Sequence, residues 1–222
     1  MLLTAEDLVA DVIGDEGTVR VLDHLGLALE AGTLVDVTGP SGAGKTMLLR
    51  ALGRVLPGAA GRLTLEGRPA EKIAPQSWRA QVALLPQKPA IQPGAVRDNL
   101  LLPWALKVRH GVTPPTDVEL RTALDGVGLD EIALDRDASR LSVGQAARVA
   151  LLRVALTKPR VLLLDEPDAS LDEASAEQVT AMTRAFVEAG GGAVRVRHHR
   201  SDGLAACQLQ LRDGRLEEVG RS

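Results

Sequence analysis

The sequence predicts an α/β fold that combines a parallel sheet with an antiparallel β region near the N-terminus and an inserted α-helical region. Solid apolar runs, typical of buried parallel strands, alternate with stretches of helical periodicity. Strand signals stop between about residues 93 and 156, where helical spacing takes over. With 222 residues, 45% of them apolar, the chain suits one globular domain or two tightly joined subdomains.

Four short apolar runs are predicted to be strands of the parallel sheet. Residues 161–164 form the clearest run and residues 82–85 the next. Residues 34–38 lead directly into a glycine-rich loop, and residues 193–196 have the same apolar character. Because helix-like stretches separate these runs, parallel pairing is expected.

Two antiparallel hairpins are predicted, one near each end of the chain. Apolar residues alternate with polar or small ones at 18–22 and 26–29, and Ala31-Gly32 is expected to form a turn. This pattern predicts an N-terminal hairpin. Asp213-Gly214 predicts the turn of the second hairpin.

The stretch from about residue 93 to residue 156 is predicted to be a helical subdomain. Apolar residues recur at helical spacing at 116–127 and 144–156. Prolines divide the remainder into short pieces, and residues 111–116 are expected to form a flexible loop.

Charge and cysteine content exclude several classes of protein. The formal charge of -3 lacks the basic excess of an electrostatic nucleic-acid binder, so no nucleic-acid partner is expected. The single cysteine, Cys207, cannot form an internal disulfide and suits a reducing compartment. No basic segment precedes an apolar one at the N-terminus, and charged residues interrupt every apolar run well before the roughly 18 residues of a membrane helix. Neither a signal peptide nor a membrane span is expected.

A glycine-rich segment, Gly39 to Thr46, fits the pattern G-x-x-x-x-G-K-[ST] between a predicted strand and a predicted helix. In such a P-loop, glycines let successive backbone N–H groups point at phosphate oxygens, and the helix N-terminus adds partial positive charge. Lys45 is expected to reach the β- and γ-phosphates, and the Thr46 hydroxyl to bind Mg²⁺. The residues expected to cradle the phosphates are Gly39, Pro40, Ser41, Gly42, Ala43, Gly44, Lys45 and Thr46.

Two carboxylates, Asp165 and Glu166, directly follow the predicted strand at 161–164. Open α/β sheets bind ligands at the carboxyl ends of their strands. Asp165 is expected to hold Mg²⁺, usually through a water, and Glu166 to act on the attacking water as general base or orienter. The alternative, that the pair before Pro167 merely ends a strand and caps a helix, is disfavoured because the phosphate loop is also present.

Four further motifs narrow the class of nucleotide-binding protein. Gln87 follows a predicted strand, and Leu141-Ser142-Val143-Gly144-Gln145 opens a helix about 20 residues before Asp165. Ser170-Leu171-Asp172 follows the acidic pair, and His198 follows the last core strand. In this order and spacing the chain resembles the nucleotide-binding subunits of ABC transporters. The resemblance covers essentially the whole chain, and the five-residue signature is absent from P-loop kinases and GTPases.

This resemblance implies one ABC ATP-binding domain over residues 1–222, with a P-loop NTPase core. Residues 1–92 and 157–222 would form the nucleotide-binding core with its β subdomain, and residues 93–156 the helical signature subdomain. The implied activity is hydrolysis of ATP with Mg²⁺, which would power transport through a separate integral membrane permease subunit. The protein would then be cytoplasmic and lie peripherally on the membrane through that permease.

The resemblance also implies roles for individual residues. Gln87 would contact Mg²⁺ or its water, and His198 would sense the γ-phosphate, so that Lys45, Gln87, Glu166 and His198 would be catalytic. In a head-to-tail dimer, the second copy would contribute Ser142, Gly144 and Gln145 to the nucleotide. Asp172 would report across this dimer interface.

The chain departs from the family pattern at three places. Val143 replaces a glycine, which we expect to be tolerated because the position needs no positive φ. The chain has no aromatic residue placed to stack on adenine, so Val12 or Ile13 is expected to replace it, with weak preference for adenine over guanine. Two histidines are adjacent, and His198 fits the expected distance better than His199.

Residues 96–107 lie where family members dock a segment of the permease. Trp104 either anchors that interface or packs inside the helical subdomain. The Asp-Asn-Leu and Pro-Trp pairs of this segment also resemble ATP-binding subunits for iron or metal export.

Two other functional classes are considered. A soluble ABC-type ATPase acting on DNA or ribosomes is disfavoured by the missing basic patch, and a nucleotide-sensing scaffold without turnover is disfavoured by Glu166.

Overall fold

The computed structural model describes residues 1–14, 17–197 and 202–221. The chain divides into two compact units. The first comprises Met1–Leu84, Arg160–Glu166 and Phe186–Ser222, and the second comprises Leu85–Pro159 and Pro167–Ala185.

The first unit contains the strands and two of the helices. Its strands are β1 (Leu3–Gly14), β2 (Gly17–Leu29), β3 (Leu34–Thr38), β4 (Ala60–Leu65), β5 (Arg68–Pro69), β6 (Val82–Leu85, whose last residue belongs to the second unit), β7 (Val161–Asp165), β8 (Gly192–Val196), β9 (Cys207–Arg212) and β10 (Arg215–Arg221). Its helices are α1 (Lys45–Leu52) and α2 (Pro75–Gln81).

These strands form two sheets. A four-stranded sheet has the order β2-β1-β4-β5 with antiparallel pairs, and a six-stranded sheet has the order β10-β9-β3-β8-β7-β6. In the larger sheet β3 is parallel to both β8 and β9, β7 is parallel to β8, and β9 and β10 form an antiparallel hairpin at the edge. The predicted α/β class with an antiparallel β region is confirmed.

The three parallel strands β3, β8 and β7 place the segments that follow β3 and β7 at the same end of the larger sheet, where the carboxyl ends of these strands lie. Val37 of β3 pairs with Val196 of β8, and Val196 pairs with Asp165 of β7. The loop after β3 and the residues after β7 therefore leave the sheet at the same end, on either side of β8. Every residue of β7 is buried, as a run of apolar residues in a parallel strand predicts.

The predicted antiparallel pairing near the N-terminus is present and Ala31-Gly32 forms a turn, but the runs 18–22 and 26–29 are not two separate strands. Both runs belong to the single strand β2, which pairs with β1 instead. Irregular register near the Leu8–Leu25 pair and a positive φ of 47° at His24 interrupt the alternation within β2, so one bulged strand has the pattern of two. The predicted turn at Asp213-Gly214 is confirmed, with positive φ at both residues, as in a two-residue hairpin turn.

The second unit is helical. It contains α3 (Val96–Leu101), α4 (Asp117–Asp125), α5 (Val143–Ala155) and the first part of α6 (Glu173–Glu188), with short 3₁₀ turns between α3 and α4 and before α5. The two predicted helices near residues 116–127 and 144–156 are confirmed as α4 and α5. Their apolar faces pack together around Leu100, Leu120 and Val149.

No helix among the described residues combines the length and apolar character that crossing a membrane requires.

Candidate functional site

The phosphate loop joins β3 to α1 through a glycine that no other residue could replace without rearrangement. Gly39 has a φ of 149°, and a Cβ atom there would overlap the carbonyl oxygen of Leu211. The Lys45 ammonium is buried and donates hydrogen bonds to the carbonyl oxygens of Gly39 (2.8 Å) and Pro40 (2.9 Å). The loop therefore folds around its own lysine, within reach of an anion held by the backbone N–H groups.

Thr46 and Asp165 meet at the end of the sheet. The Thr46 hydroxyl donates a 2.9 Å hydrogen bond to Oδ2 of Asp165, across 119 positions of sequence. Asp165 is buried at the end of β7. A hydroxyl beside a carboxylate offers the oxygen ligands that Mg²⁺ prefers, so these two residues fit a magnesium ion.

Glu166 follows Asp165 in a strained backbone conformation. Its φ is 47°, and its N–H donates to the carbonyl oxygen of Val196 in β8 (3.1 Å). Positive φ at a residue other than glycine costs of order 1–3 kcal/mol and occurs preferentially at functional sites. Pairing with β8 holds the chain in this turn directly after the strand.

The signature segment at the start of α5 is organised by a reciprocal pair of hydrogen bonds. Ser142 Oγ accepts from the Gln145 N–H (3.2 Å), and the Ser142 N–H donates to Gln145 Oε1 (2.9 Å). The amide nitrogen of Gln145 also donates to Glu131 (3.1 Å). Because Ser142 Oγ acts as an acceptor in this cap, its hydroxyl hydrogen can be donated to an incoming phosphate.

Gly144 is required for packing. A Cβ atom at this position would overlap Oγ of Ser175 and lie 2.8 Å from Ser175 Cβ, so the start of α5 contacts α6 closely. Val143 begins the helix without a positive φ, as expected for a tolerated valine, and its side chain is 66% exposed.

The remaining predicted residues lie elsewhere in the described chain or outside it. Gln87 follows β6 as an exposed residue of the second unit. Asp172 caps α6 by accepting from the Ser175 N–H (2.8 Å), and hydrogen bonds from Ser175 lower the pKa of this carboxyl. His198 and its alternative His199 lie outside the described residues.

The structure thus brings Lys45, Thr46, Asp165 and Glu166 together in the first unit, whereas Gln87 and the residues from Ser142 to Gln145 belong to the second. Sequence reasoning missed Glu131 and Ser175. Neither carries a local motif: Glu131 lies 14 positions before Gln145, and Ser175 lies in α6.

The candidate adenine contacts differ in exposure. Val12 is half-buried and Ile13 is 89% exposed, both near the end of β1. Trp78 is fully buried, where its indole N–H donates to the Leu52 carbonyl (2.9 Å), so this ring belongs to the core.

A family model described as ABC transporter matches residues 22–169, and the chain belongs to the ABC transporter family of ATP-binding proteins. It is an ATPase whose activity is coupled to transport.

Individual relatives and structures agree with this assignment. The chain is similar to the "probable iron export ATP-binding protein FetA" of Escherichia coli (strain K12), with 30% identity over 91% of this chain and 90% of that protein. It is also similar to the sulfate/thiosulfate import ATP-binding protein CysA of Bordetella parapertussis (strain 12822), with 34% identity over 92% of this chain and 58% of that protein. The chain shares its fold with a solved ATP-binding subunit of an ABC transporter, with a TM-score of 0.82 at 20% identity; the match covers 100% of this chain and 90% of that one.

Replacement of Gly144 by alanine is expected to destabilise the protein by about 1–3 kcal/mol, because the added methyl group overpacks the contact with Ser175. The double variant with Ser175→Gly removes the colliding atoms and should recover stability lost through that contact. Urea denaturation measures the free energy of unfolding of both variants. Val143→Gly is the matched control, since Val143 is exposed. This control should leave the rate of ATP hydrolysis little changed. Equal losses in Gly144→Ala with and without Ser175→Gly would contradict the packing role.

Proposed function

We propose that this chain is the ATP-binding and ATP-hydrolysing subunit of a transporter whose membrane-spanning part is a separate permease subunit. The observation that carries the proposal is the hydrogen bond between Thr46 and Asp165, which joins the phosphate loop to the carboxylates at the end of β7. The two motifs define a nucleotide site only where they meet. The proposed domain extends over residues 1–222 and lies peripherally on the cytoplasmic face of the membrane.

Phosphate binding is assigned to the loop from Gly39 to Thr46. Its N–H groups and the Lys45 ammonium would bind the β- and γ-phosphates, with the lysine exchanging its two carbonyl acceptors for phosphate oxygens. Thr46 and Asp165 would hold Mg²⁺, directly or through water, and this ion would neutralise charge that develops on the phosphates. The role of Gln87 toward the ion stays a prediction.

Catalysis is assigned to Glu166, acting on the attacking water as general base or orienter. The site would be completed by a second copy of the chain in a head-to-tail dimer, whose Ser142 hydroxyl and α5 N-terminus would bind the γ-phosphate. The capped start of α5 supports this role because its hydroxyl hydrogen and first N–H groups can be donated outward. Release of the γ-phosphate would remove the oxygen atoms that accept these hydrogen bonds, and the dimer would reopen.

Glu166→Gln is expected to lower steady-state phosphate release by about 100-fold or more, because an amide cannot accept the proton of water. ATP binding should persist, and the variant should accumulate as an ATP-bound dimer in light scattering. Glu173→Gln, an exposed residue at the start of α6, is the matched control and should hydrolyse ATP like the wild type.

Two results would favour the alternatives. A wild type that binds ATP but neither hydrolyses nor dimerises, even with membranes that contain its permease, would favour the nucleotide-sensing scaffold. Full turnover without any association with membranes would favour a soluble ATPase.

The permease is proposed to dock on residues 102–112, which include the second half of the segment 96–107 predicted from the sequence and continue beyond it. Large apolar side chains are exposed along this stretch, at Leu102, Leu106, Val108 and Val112. Trp104 is half-buried, with the Arg109 guanidinium 5.8 Å from the centre of its ring, and Arg109 in turn donates to the Thr157 carbonyl (2.9 Å). These contacts support packing of Trp104 within the helical unit, and its role as an anchor of the interface stays a proposal.

Leu106→Asp is expected to weaken binding to permease-containing membranes by about tenfold or more, because a charge replaces an apolar side chain that is 57% exposed. Basal hydrolysis should be unchanged, since the change lies outside the nucleotide site. Val219→Asp, a comparably exposed residue of the first unit, serves as control. Unchanged membrane binding by Leu106→Asp would remove residues 102–112 from the interface.

The cargo is proposed to be iron or another metal ion, moved outward. The support is the segment Asp98-Asn99-Leu100 with Pro103-Trp104, together with the name of the Escherichia coli relative. The Bordetella relative is named for import of sulfate, so relatives alone do not identify a cargo.

Cells that lack this chain are expected to accumulate iron, and a gene copy with Glu166→Gln should fail to restore the normal content. Intracellular iron is measured beside sulfate uptake. Unchanged iron with reduced sulfate uptake would contradict the proposed cargo and direction while leaving the ATPase assignment intact.

A further inference from the structure

The C-terminal hairpin of β9 and β10 borders the phosphate loop at its first and last glycines. A Cβ atom on Gly39 would lie 2.4 Å from the carbonyl oxygen of Leu211 in β9, and one on Gly44 would lie 3.8 Å from the Leu211 side chain. Leu211 is fully buried. Because neither glycine has room for a side chain beside this residue, β9 limits where the loop can lie.

Strand β2 borders the same loop from the other sheet. A Cβ atom on Gly44 would lie 3.0 Å from the carbonyl oxygen of Val21 and 3.6 Å from the Val21 Cβ atom. β2 is an edge strand of the four-stranded sheet, whereas the loop follows β3 of the six-stranded sheet. Strand pairing within one sheet does not fix a distance to the other, so the position of β2 against Gly44 depends on contacts between the sheets.

One such contact is made by the turn at Asp213-Gly214, whose glycine is buried. The Asp23 N–H in β2 donates a 2.9 Å hydrogen bond to the Gly214 carbonyl oxygen. A Cβ atom on Gly214 would lie 3.1 Å from the Asp23 nitrogen and 3.4 Å from the Val21 carbonyl oxygen. The Val21 carbonyl oxygen thus lies close both to the glycine of the turn and to Gly44 of the phosphate loop.

A side-chain contact also ties the hairpin to β2. Nη2 and Nε of Arg215 donate to Oδ2 of Asp23 (2.9 and 3.2 Å), and these hydrogen bonds lower the pKa of the Asp23 carboxyl. The Arg215 side chain is 72% exposed, so the ion pair by itself contributes little. The backbone hydrogen bond and the close approach of Gly214 are therefore the principal parts of the contact.

A second hairpin turn has the same backbone conformation but lies open to solvent. Glu66-Gly67 joins β4 to β5 with φ angles of 50° and 74°, compared with 48° and 76° at Asp213-Gly214. Gly67 is exposed, and a Cβ atom there would meet no atom of the described residues within 4 Å. Turn chemistry favours glycine in both places. The close approach to β2 distinguishes the C-terminal turn and needs a separate explanation.

We propose that Gly214 and Asp23 are positioning residues for nucleotide binding. Their contact holds Val21 against Gly44 and thereby sets the conformation of the phosphate loop. The inference rests on the proposed function, in which this loop binds the β- and γ-phosphates. The N–H groups of such a loop bind phosphate oxygens only when several of them point inward together. A displacement of a few tenths of an ångström at Gly44 therefore weakens several hydrogen bonds at once.

Alanine substitutions in the two turns separate positioning from turn strain. Gly214→Ala and Gly67→Ala each add a methyl group at almost the same positive φ, so both should lower the melting temperature. The added methyl group displaces the turn from Asp23 in Gly214→Ala alone. We expect Gly214→Ala to raise KM and Kd for Mg-ATP by about three- to tenfold, with a smaller change in kcat. Gly67→Ala should bind Mg-ATP like the wild type.

Inorganic tripolyphosphate with Mg²⁺ shows which part of the nucleotide is affected. It carries the phosphates without base or ribose, so Gly214→Ala should weaken its binding by the same factor, measured by displacement of a fluorescent ATP analogue. Arg215→Gln, which removes only the exposed ion pair, should lower both affinities by no more than about twofold. Should Gly214→Ala fail to fold, Gly214→Asn tests the same contact beside Gly67→Asn, because Asn adopts positive φ more readily and still carries a Cβ atom.

Two results would overturn the positioning role. Equal losses of affinity in Gly214→Ala and Gly67→Ala that follow the melting temperature would reduce the turn to a structural role. Weaker binding of Mg-ATP by Gly214→Ala with unchanged binding of tripolyphosphate would show that the turn acts on the base and not on the phosphate loop.

Lys45→Met distinguishes failure of this inference from failure of the proposed function. If Lys45→Met loses tripolyphosphate binding while Gly214→Ala binds it like the wild type, the positioning role is rejected and the proposed function stands. Normal tripolyphosphate binding by Lys45→Met would reject the loop as the phosphate site, and the positioning role with it.

Discussion

The parallel alignment of β3, β8 and β7 is the constraint on which the nucleotide site depends. Val37, Val196 and Asp165 lie side by side across these strands, so the phosphate loop and the acidic pair leave the sheet at one edge. The bond from Thr46 to Asp165 then joins two motifs that are far apart in sequence. A slip of one residue in any of these strands would turn every side chain to the opposite face of the sheet.

Close packing and directed hydrogen bonds define two further places, the start of α5 and the surroundings of Arg195 in the larger sheet. At the start of α5, Gly144 leaves room for Ser175, while Ser142 caps the helix and keeps a hydrogen to donate. In the sheet, the paired hydrogen bonds that Arg195 donates to the carboxylate of Asp36 impose an orientation that apolar packing alone could not. Both places accept a cost, which is a missing side chain at Gly144 and a buried charge at Arg195.

Local sequence was sufficient to predict the features that depend on residues a few positions apart. The phosphate loop followed from the spacing of its glycines and Lys45, and β7 followed from an unbroken apolar run ending at Asp165. Helices α4 and α5 followed from apolar periodicity, and the turn at Asp213-Gly214 from residues that tolerate positive φ. The family assignment followed from the order of these motifs, and the match to residues 22–169 confirms it.

Tertiary structure decided everything that depends on which segments become neighbours. The alternation in β2 is broken at His24, so only pairing with β1 shows that one strand was present where two were predicted. The packing of Gly144 depends on where α6 begins, which no spacing around the signature reveals. Asp36 and Arg195 are 159 positions apart and become partners only through the order of strands in the sheet. Sequence by itself determined the local motifs and periodic elements, because they depend on residues a few positions apart; the tertiary structure alone decided the long-range contacts, because these depend on how the strands and helices assemble.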